Sequence, residues 1–188
     1  ESVDAQGGND TIDGRGGHDV AMYTLAAAGV IAELEGDGEG TPGSASDGDG
    51  GTDRLIGIEG LVGSAFNDTL TGSGSAWLEI FEGGTGNDLI SGGPGPDEAS
   101  FENATLMGAG VDLTIGRAWR DGSGGNDTLA GIEHVTGSVL FGDMIIGSNT
   151  DANRLRGLGG NDSLVGEDGD DTLEGGDGND QLWGEDDN

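Results

Sequence analysis

The sequence predicts an all-β chain wound into a parallel β-solenoid, and three observations lead to this fold class. A nine-residue unit of glycines, one aspartate and one apolar residue recurs along the 188 residues. Each unit ends in three residues with the alternation of a short strand, whereas helix-like periodicity is weak. Glycine occurs 43 times but proline only 3 times, which excludes collagen and proline-rich linkers.

The nine-residue unit is clearest near the C-terminal end, in the block 157–183. Its aspartates and its apolar residues both keep a step of nine: Asp162, Asp171 and Asp180, and Leu164, Leu173 and Leu182. Further units form the blocks 5–22 and 83–100 and a single copy at 63–71. A degenerate copy runs from residue 137 to 146, with Asp143 in the acidic position after one extra residue.

A second, longer repeat is superimposed on the nine-residue repeat. Asp53-Arg54-Leu55 and Asp127-Thr128-Leu129 stand 74 residues apart, and so do Asp88 and Asp162. The segments 23–62 and 101–136 therefore interrupt the solenoid as strand-and-loop insertions. Each insertion is predicted to contain a loop, at 35–51 and at 116–125, rich in glycine and small polar residues. Residues 1–188 are interpreted as one solenoid segment of a longer protein.

The spacing within the unit favours a cation site. In the pattern G-G-x-G-x-D-x-U-x, where U is apolar, the first six residues turn and the last three form a strand. Glycine allows positive φ and close backbone approach, so that carbonyls can point at a common centre beside the aspartate. Carboxylate and carbonyl oxygens are the ligands that Ca²⁺ prefers. Two units make one coil, which stacks aspartates about 4.8 Å apart on each edge, where they repel unless a cation lies between them.

The charge agrees with this interpretation. Asp and Glu total 37 against 6 basic residues, and the formal net charge is −31. Such a charge would also fit a disordered chain, but disorder needs no period. Nucleic acid and anionic membranes are disfavoured as partners because the protein would repel them. The chain has no cysteine, which is compatible with an extracellular protein, and no apolar run of membrane-spanning length.

The units 83–91 and 175–183 resemble the calcium-binding nonapeptide of the RTX (haemolysin-type) family at nearly every position. The resemblance implies a calcium-binding β-roll, with several Ca²⁺ ions, in a protein that leaves the cell by type I secretion. It implies carboxylate ligands at the sixth position of each unit: Asp10, Asp19, Asp68, Asp88, Asp97, Asp143, Asp162, Asp171 and Asp180. It implies carbonyl ligands at glycines of the turns: Gly8, Gly17, Gly83, Gly84, Gly86, Gly93, Gly95, Gly157, Gly160, Gly166, Gly169, Gly175, Gly176 and Gly178.

Some units depart from the pattern. Ala5 and Gln6 replace the leading glycines of the first unit, and Glu79 and Asn153 take the sixth position of two others. Some sites beside these units are expected to be weak or empty. Glu59 and Glu133 follow Leu-x-x-Ile in both long units and are interpreted as structural groups rather than ligands. The three phenylalanines Phe66, Phe81 and Phe101 are expected to cap or fill the core.

No catalytic constellation surrounds His18 or His134, so the segment is not expected to be an enzyme. Two functions remain open. One is a calcium-rigidified spacer of an adhesin or surface layer, and the other is the C-terminal folding and export module of a secreted protease, lipase or polysaccharide epimerase. Recurrence of the long unit favours the spacer. Arg117, Trp119 and Arg120 form either a packed loop or a contact for a surface polysaccharide or a neighbouring repeat of the same protein.

Overall fold

The computed structural model describes residues 1–5, 7–35 and 42–185, which form twenty short strands and no helix. The strands are numbered in chain order and build two sheets. The eight-stranded sheet has the spatial order β1 (Ser2–Asp4), β3 (Val20–Met22), β7 (Gly60–Val62), β9 (Glu79–Glu82), β11 (Asp97–Ser100), β15 (His134–Thr136), β17 (Arg154–Gly159) and β19 (Thr172–Asp177). The twelve-stranded sheet has the order β2 (Thr11–Asp13), β6 (Thr52–Ile56), β5 (Gly43–Ser46), β4 (Ile31–Glu33), β8 (Thr69–Thr71), β10 (Leu89–Ser91), β14 (Asp127–Ala130), β13 (Arg117–Arg120), β12 (Gly110–Asp112), β16 (Met144–Ile146), β18 (Ser163–Val165) and β20 (Gln181–Trp183).

Successive nine-residue units feed opposite sheets, so that two units complete one coil. Within each sheet the repeat strands pair in parallel, and Leu155 lies beside Leu173 while Leu164 lies beside Leu182. The predicted all-β parallel β-roll is therefore confirmed. The part of the chain that the structure describes contains no helix long and apolar enough to cross a membrane.

A thin core runs between the two sheets and consists of one apolar residue from nearly every strand. Leu61, Leu70, Phe81 and Ile145 are fully buried there. Because each strand contributes only one inward side chain, the core is a single layer deep. Phe81 and Phe101 fill the interior as expected, but Phe66 lies in a turn with 45 % of its surface exposed. The expectation for Phe66 was therefore wrong.

Each insertion adds antiparallel strands to the twelve-stranded sheet alone. β5 lies between β4 and β6 and pairs antiparallel with both, and β13 lies in the same way between β12 and β14. The loops predicted at 35–51 and 116–125 were therefore partly wrong, because each contains a strand that buries one alanine, Ala45 or Ala118. Residues 36–41 of the first loop lie outside the described residues.

A buried aromatic residue stands at the beginning of each insertion, directly after a strand of the eight-stranded sheet. Tyr23 and Phe101 follow β3 and β11, and both are buried. The segment after Phe101 packs on the turn that precedes β14, where the N–H groups of Leu106 and Met107 donate to the carbonyl of Gly122 at 3.0 and 3.2 Å. These hydrogen bonds join the beginning of the insertion to its second half.

Candidate calcium sites in the turns

The sixth-position aspartates lie in two rows, one along each edge between the sheets. The row that leads into the twelve-stranded sheet contains Asp10, Asp68, Asp88, Asp143, Asp162 and Asp180. The row that leads into the eight-stranded sheet contains Asp19, Asp97 and Asp171. Each residue directly precedes or begins its strand, so the strand register places the carboxylates of stacked coils above one another.

Backbone hydrogen bonds connect each row from coil to coil. The N–H of Asp68 donates to Oδ1 of Asp88 at 2.8 Å, and the N–H of Asp143 donates to Oδ1 of Asp162 at 2.9 Å. The N–H of Asp162 in turn donates to Oδ1 of Asp180 at 3.0 Å. One carboxylate oxygen of each residue therefore belongs to the ladder, which fixes the direction of the other.

That other oxygen is frequently buried without a partner. Among the described residues, no donor reaches the buried Oδ2 atoms of seven aspartates: Asp19, Asp53, Asp88, Asp97, Asp121, Asp162 and Asp171. A buried carboxylate oxygen without a hydrogen bond or counter-charge is strongly unfavourable. These atoms are therefore places where a cation would be stabilising.

The first glycine of the unit is required by close approach. A Cβ on Gly157 would collide with Oδ2 of Asp162 and lie 2.7 Å from the carbonyl oxygen of Gly175 in the next coil. A Cβ on Gly63 would likewise collide with Oδ2 of Asp68 and lie 2.5 Å from the carbonyl oxygen of Gly83. A carboxylate oxygen of one coil and a carbonyl oxygen of the next therefore converge at this position.

The second and fourth positions favour glycine for a different reason, which is positive φ. All ten sequence-predicted glycines at these positions have φ between 96° and 144°: Gly8, Gly17, Gly84, Gly86, Gly93, Gly95, Gly160, Gly169, Gly176 and Gly178. Those at the first position, Gly83, Gly157, Gly166 and Gly175, do not have positive φ. Four described residues other than glycine also adopt positive φ at the second position, namely Arg15, Leu158, Glu167 and, after Gly184, Glu185.

Serine at the second position creates another class of turn. Ser64 donates its N–H to Oδ2 of Asp68 at 2.6 Å and its hydroxyl to Oδ1 at 2.8 Å. Ser138 donates its N–H to Oδ2 of Asp143 at 2.8 Å. Neither serine has positive φ, so its N–H points towards the carboxylate. The acidic groups of these turns are satisfied within the chain, unlike those of the glycine turns.

Ser73 and Ser148 repeat this arrangement in the units that depart from the acidic pattern. Their N–H groups donate to Oε2 of Glu79 at 2.8 Å and to Oδ1 of Asn153 at 2.6 Å. The turn therefore accommodates a longer acid or a neutral amide when serine supplies the donor.

Burial shifts the pKa of the row carboxylates upwards. Desolvation raises the pKa of Asp88 and of Asp97 to about 7, and the neighbouring acids Asp68 and Glu79, respectively, add to the shift. Desolvation raises the pKa of Asp127 to about 8 and that of Asp143 to about 6. The pKa values of Asp68 and Asp162 are also raised by burial. Ionising these carboxylates at neutral pH therefore costs free energy in the folded chain.

Sequence reasoning missed the acids that continue the rows past the insertions. The N–H of Asp10 donates to Oδ1 of Asp53 at 2.9 Å, and the N–H of Asp88 donates to Oδ1 of Asp127 at 3.0 Å. The sequence signal was present, because glycine at the first, third and fourth positions precedes each aspartate as it does in the unit 157–162, and Leu55 and Leu129 follow two places later.

Glu59 and Glu133 accept the corresponding hydrogen bonds in the row that leads into the eight-stranded sheet. Oε2 of Glu59 accepts the N–H of Asp19 at 2.9 Å, and Oε2 of Glu133 accepts the N–H of Asp97 at 3.0 Å. Both therefore occupy sixth-position places in the row. His134 accepts the N–H of Arg154 at Nδ1, at 3.2 Å, and His18 is exposed.

The donor set fits a hard cation. Within residues 1–5, 7–35 and 42–185, three or more acidic or histidine side chains do not converge on one point. What converges in the turns is one carboxylate oxygen with backbone carbonyls, as at Gly157. All of these donors are oxygens, which suits Ca²⁺ and offers nothing to a soft metal.

The comparison with known families agrees with this geometry. The family model described as the RTX calcium-binding nonapeptide repeat matches the chain in four copies, at residues 2–21, 61–76, 79–98 and 147–182. No curated protein matches the chain. The repeat is typically non-catalytic, and it is the domain that these comparisons detect. The chain therefore belongs to the RTX calcium-binding nonapeptide repeat family.

Proposed function

We propose that this RTX calcium-binding repeat module is a spacer of a secreted or cell-surface protein, which folds and becomes rigid when Ca²⁺ fills its turns. The observation that carries the proposal is the set of buried, unpartnered Oδ2 atoms along both edges. Binding a cation there removes an electrostatic cost that the calcium-free fold must bear. The free energy of binding therefore becomes free energy of folding.

Individual ligands follow from the turn geometry. We assign the strongest sites to turns in which the second residue has positive φ and the carboxylate has a free Oδ2, such as those of Asp88, Asp97, Asp162 and Asp171. The glycine carbonyls of the stacked turns supply the remaining oxygens. Asp68 and Asp143 contribute more weakly because serine already satisfies them.

The spacer role rests on the regular architecture. Each coil contacts its neighbours through parallel strand pairing, so coils can be added along one direction without forming a new core. The long unit of 74 residues recurs with the same insertion on the same sheet. Both features suit a protein whose task is to span distance. Export of an attached enzyme remains the alternative for the same module.

An extracellular location follows from the chemistry of the switch. A chain with a net charge of −31 needs abundant divalent cation, and millimolar Ca²⁺ is found outside cells. RTX repeats are also typical of proteins exported by type I secretion. On this account the chain crosses the envelope unfolded and folds where calcium is plentiful.

Calcium titration followed by circular dichroism tests the proposal. In EGTA the chain should lose most of its β signal, and added CaCl₂ should restore it while the hydrodynamic radius falls. MgCl₂ at the same concentration serves as the control, because Mg²⁺ dehydrates reluctantly and demands strict octahedral geometry. A β signal that is the same in EGTA and in CaCl₂ would exclude calcium-dependent folding.

A further inference from the structure

The strand β13 of the second insertion contains an extra residue that its counterpart β5 lacks. In β5 a single residue separates the buried side chains of Ala45 and Asp47. In β13 two residues separate the buried side chains of Ala118 and Asp121, and the pairing with β12 shifts its register there. This β-bulge re-aims the strand. It adds Trp119 to the outer face of the twelve-stranded sheet, opposite the core that receives Ala118.

The indole of Trp119 occupies a place that the neighbouring strand β12 leaves free for it. A Cβ on Gly110 would lie 2.6 Å from Cε2 and 2.7 Å from Nε1 of the indole. At the corresponding position of β4, the first insertion has Ile31, whose side chain is exposed. The ring of Trp119 is partly buried. It therefore rests against the backbone of β12 instead of projecting freely into solvent.

Two arginines stand beside the indole, and both are exposed, namely Arg117 and Arg120. Neither forms an ion pair within the part of the chain that the structure describes, where the arginine ion pairs both involve Glu174 of the other sheet. Asp112 lies opposite Arg117 in the register, but its Oδ1 accepts the N–H of Thr114 at 2.9 Å. In a chain with a net charge of −31, two guanidinium groups are therefore available to an external anion.

The outward residues form one surface, here named the Trp119 patch: Arg117, Trp119, Arg120 and Met144. Met144 follows Gly110 in the register and has 42 % of its surface exposed, so it extends the apolar surface of the indole. At the corresponding places of β5, the first insertion has Ser44 and Ser46. The same insertion can therefore be built without such a patch, which is not a requirement of the fold.

The position and chemistry of the patch favour a carbohydrate over a protein. β13 pairs with β12 on one side and with β14 on the other, so it offers no free strand edge to an added peptide. A second copy of this chain carries the same charge of −31 and would be repelled. An indole face matches the flat C–H face of a pyranose ring, and a guanidinium forms paired hydrogen bonds with a carboxylate.

We propose that the Trp119 patch binds an acidic polysaccharide, in which a sugar ring stacks on Trp119 and uronic acid carboxylates bind Arg117 and Arg120. The site lies on the outer face of the twelve-stranded sheet, away from the turns at its edges. It goes beyond the spacer role, because it gives the folded chain a surface for attachment. Calcium in the turns is needed for it only in so far as calcium keeps the sheet folded.

Isothermal titration calorimetry of the calcium-saturated chain with a hyaluronan hexasaccharide, whose alternate sugars carry a carboxylate, tests the site. Trp119→Ala and the double variant Arg117→Gln/Arg120→Gln should each bind at least about tenfold more weakly than the wild type. Two matched controls should bind as the wild type does. Arg54→Gln changes an exposed arginine on the same outer face, and Trp77→Ala changes an exposed tryptophan elsewhere in the chain.

Two further probes separate the sugar from the charge. Cellohexaose lacks carboxylates and a hexaglutamate peptide lacks sugar rings, so both should bind more weakly than the hyaluronan fragment. Circular dichroism in CaCl₂ verifies the fold of each variant, and the exposed arginine substitutions keep the test decisive if Trp119→Ala does not fold. A wild-type chain that does not bind the hyaluronan fragment, or that binds either comparison probe as tightly, would overturn the proposal. So would an equal loss of affinity in Arg54→Gln.

Discussion

At the scale of single residues, the second position of each turn decides whether the carboxylate needs a cation. Glycine with positive φ leaves Oδ2 of Asp88 without a donor, whereas Ser64 supplies both an N–H and a hydroxyl to Asp68. The two aspartates are stacked neighbours joined by a hydrogen bond of 2.8 Å. They therefore offer a matched comparison within one row.

Asp88→Asn should weaken calcium binding more than Asp68→Asn does. The first change removes a charge that only a cation compensates, and the second removes one that serine already satisfies. Isothermal titration calorimetry should show fewer sites or an affinity lower by about tenfold for Asp88→Asn, which corresponds to about 1.4 kcal/mol. Equal losses in the two variants would mean that the serine contacts do not distinguish the turns.

Replacing the serine should make its turn dependent on calcium. Ser64→Gly removes the hydroxyl and allows positive φ, so the Asp68 carboxylate loses both serine donors and keeps only the N–H of Val30 on Oδ1. At the lowest CaCl₂ concentration that keeps the wild type folded, the free energy of unfolding should fall by about 1–3 kcal/mol, the usual cost of leaving a buried acceptor unsatisfied. Saturating CaCl₂ should restore most of it.

The control for this change is Ser64→Ala, which keeps the N–H donor and should lose less stability at limiting calcium. Denaturant midpoints of the three proteins, measured at limiting and at saturating CaCl₂, give the comparison. A Ser64→Gly chain as stable as the wild type at limiting calcium would contradict the role assigned to the serine.

At the scale of elements, the turns carry backbone strain where a second residue other than glycine adopts positive φ. Glu167 has φ of 70°, and Leu158 has φ of 71°. A side chain in this region costs about 1–2 kcal/mol, most of which glycine avoids. The strain lies in the run of uninterrupted units at 157–183.

Glu167→Gly should therefore stabilise the calcium-bound chain by about 1 kcal/mol. For a domain of this size, such a gain corresponds to a rise in Tm of about 2–4 °C. Differential scanning calorimetry in CaCl₂ measures it. Asp168→Gly is the matched control, because Asp168 follows in the same turn without positive φ and should gain nothing.

The repeat strands and the acidic rows could be predicted because both follow from the nine-residue step. The strands β5 and β13 could not, since Gly43-Ser44-Ala45-Ser46 and its counterpart have little strand propensity and pair only because β4 and β6 flank them. Asp53 and Asp127 could have been predicted as well, because the segments 48–53 and 122–127 have the same G-x-G-G-x-D spacing as 157–162. The structure places both in the row, where they accept the N–H groups of Asp10 and Asp88.

At the scale of the whole molecule, acidic charge opposes the fold unless it is neutralised. The folded chain holds Asp88 and Asp97 with pKa values of about 7 and Asp127 with a pKa of about 8, against an ordinary 3.8. A carboxyl whose pKa is raised by folding binds its proton more tightly in the folded state. Its contribution to stability is greatest below its ordinary pKa and is lost as pH rises through 7 to 8.

Acid should therefore partly replace calcium. In EGTA, lowering the pH from about 8.5 to about 5 should increase the β signal in circular dichroism, because these carboxyls become protonated as the chain folds. With saturating CaCl₂ the signal should change little over the same range. A calcium-free chain whose β signal does not depend on pH would show that these acids do not limit folding.

The stacking of carboxylates at strand spacing has an electrical consequence for the edges. Unit charges in water interact with about the thermal energy at a separation of about 7 Å, and adjacent coils lie about 4.8 Å apart. Along an ionised row, the charges are thus closer than this separation, the regime in which nucleic acids condense mobile counterions. In coils that form before their calcium sites are filled, each edge should behave as a short polyelectrolyte line that collects Na⁺. Calcium uptake then releases those ions, so its measured affinity should fall steadily as the NaCl concentration rises.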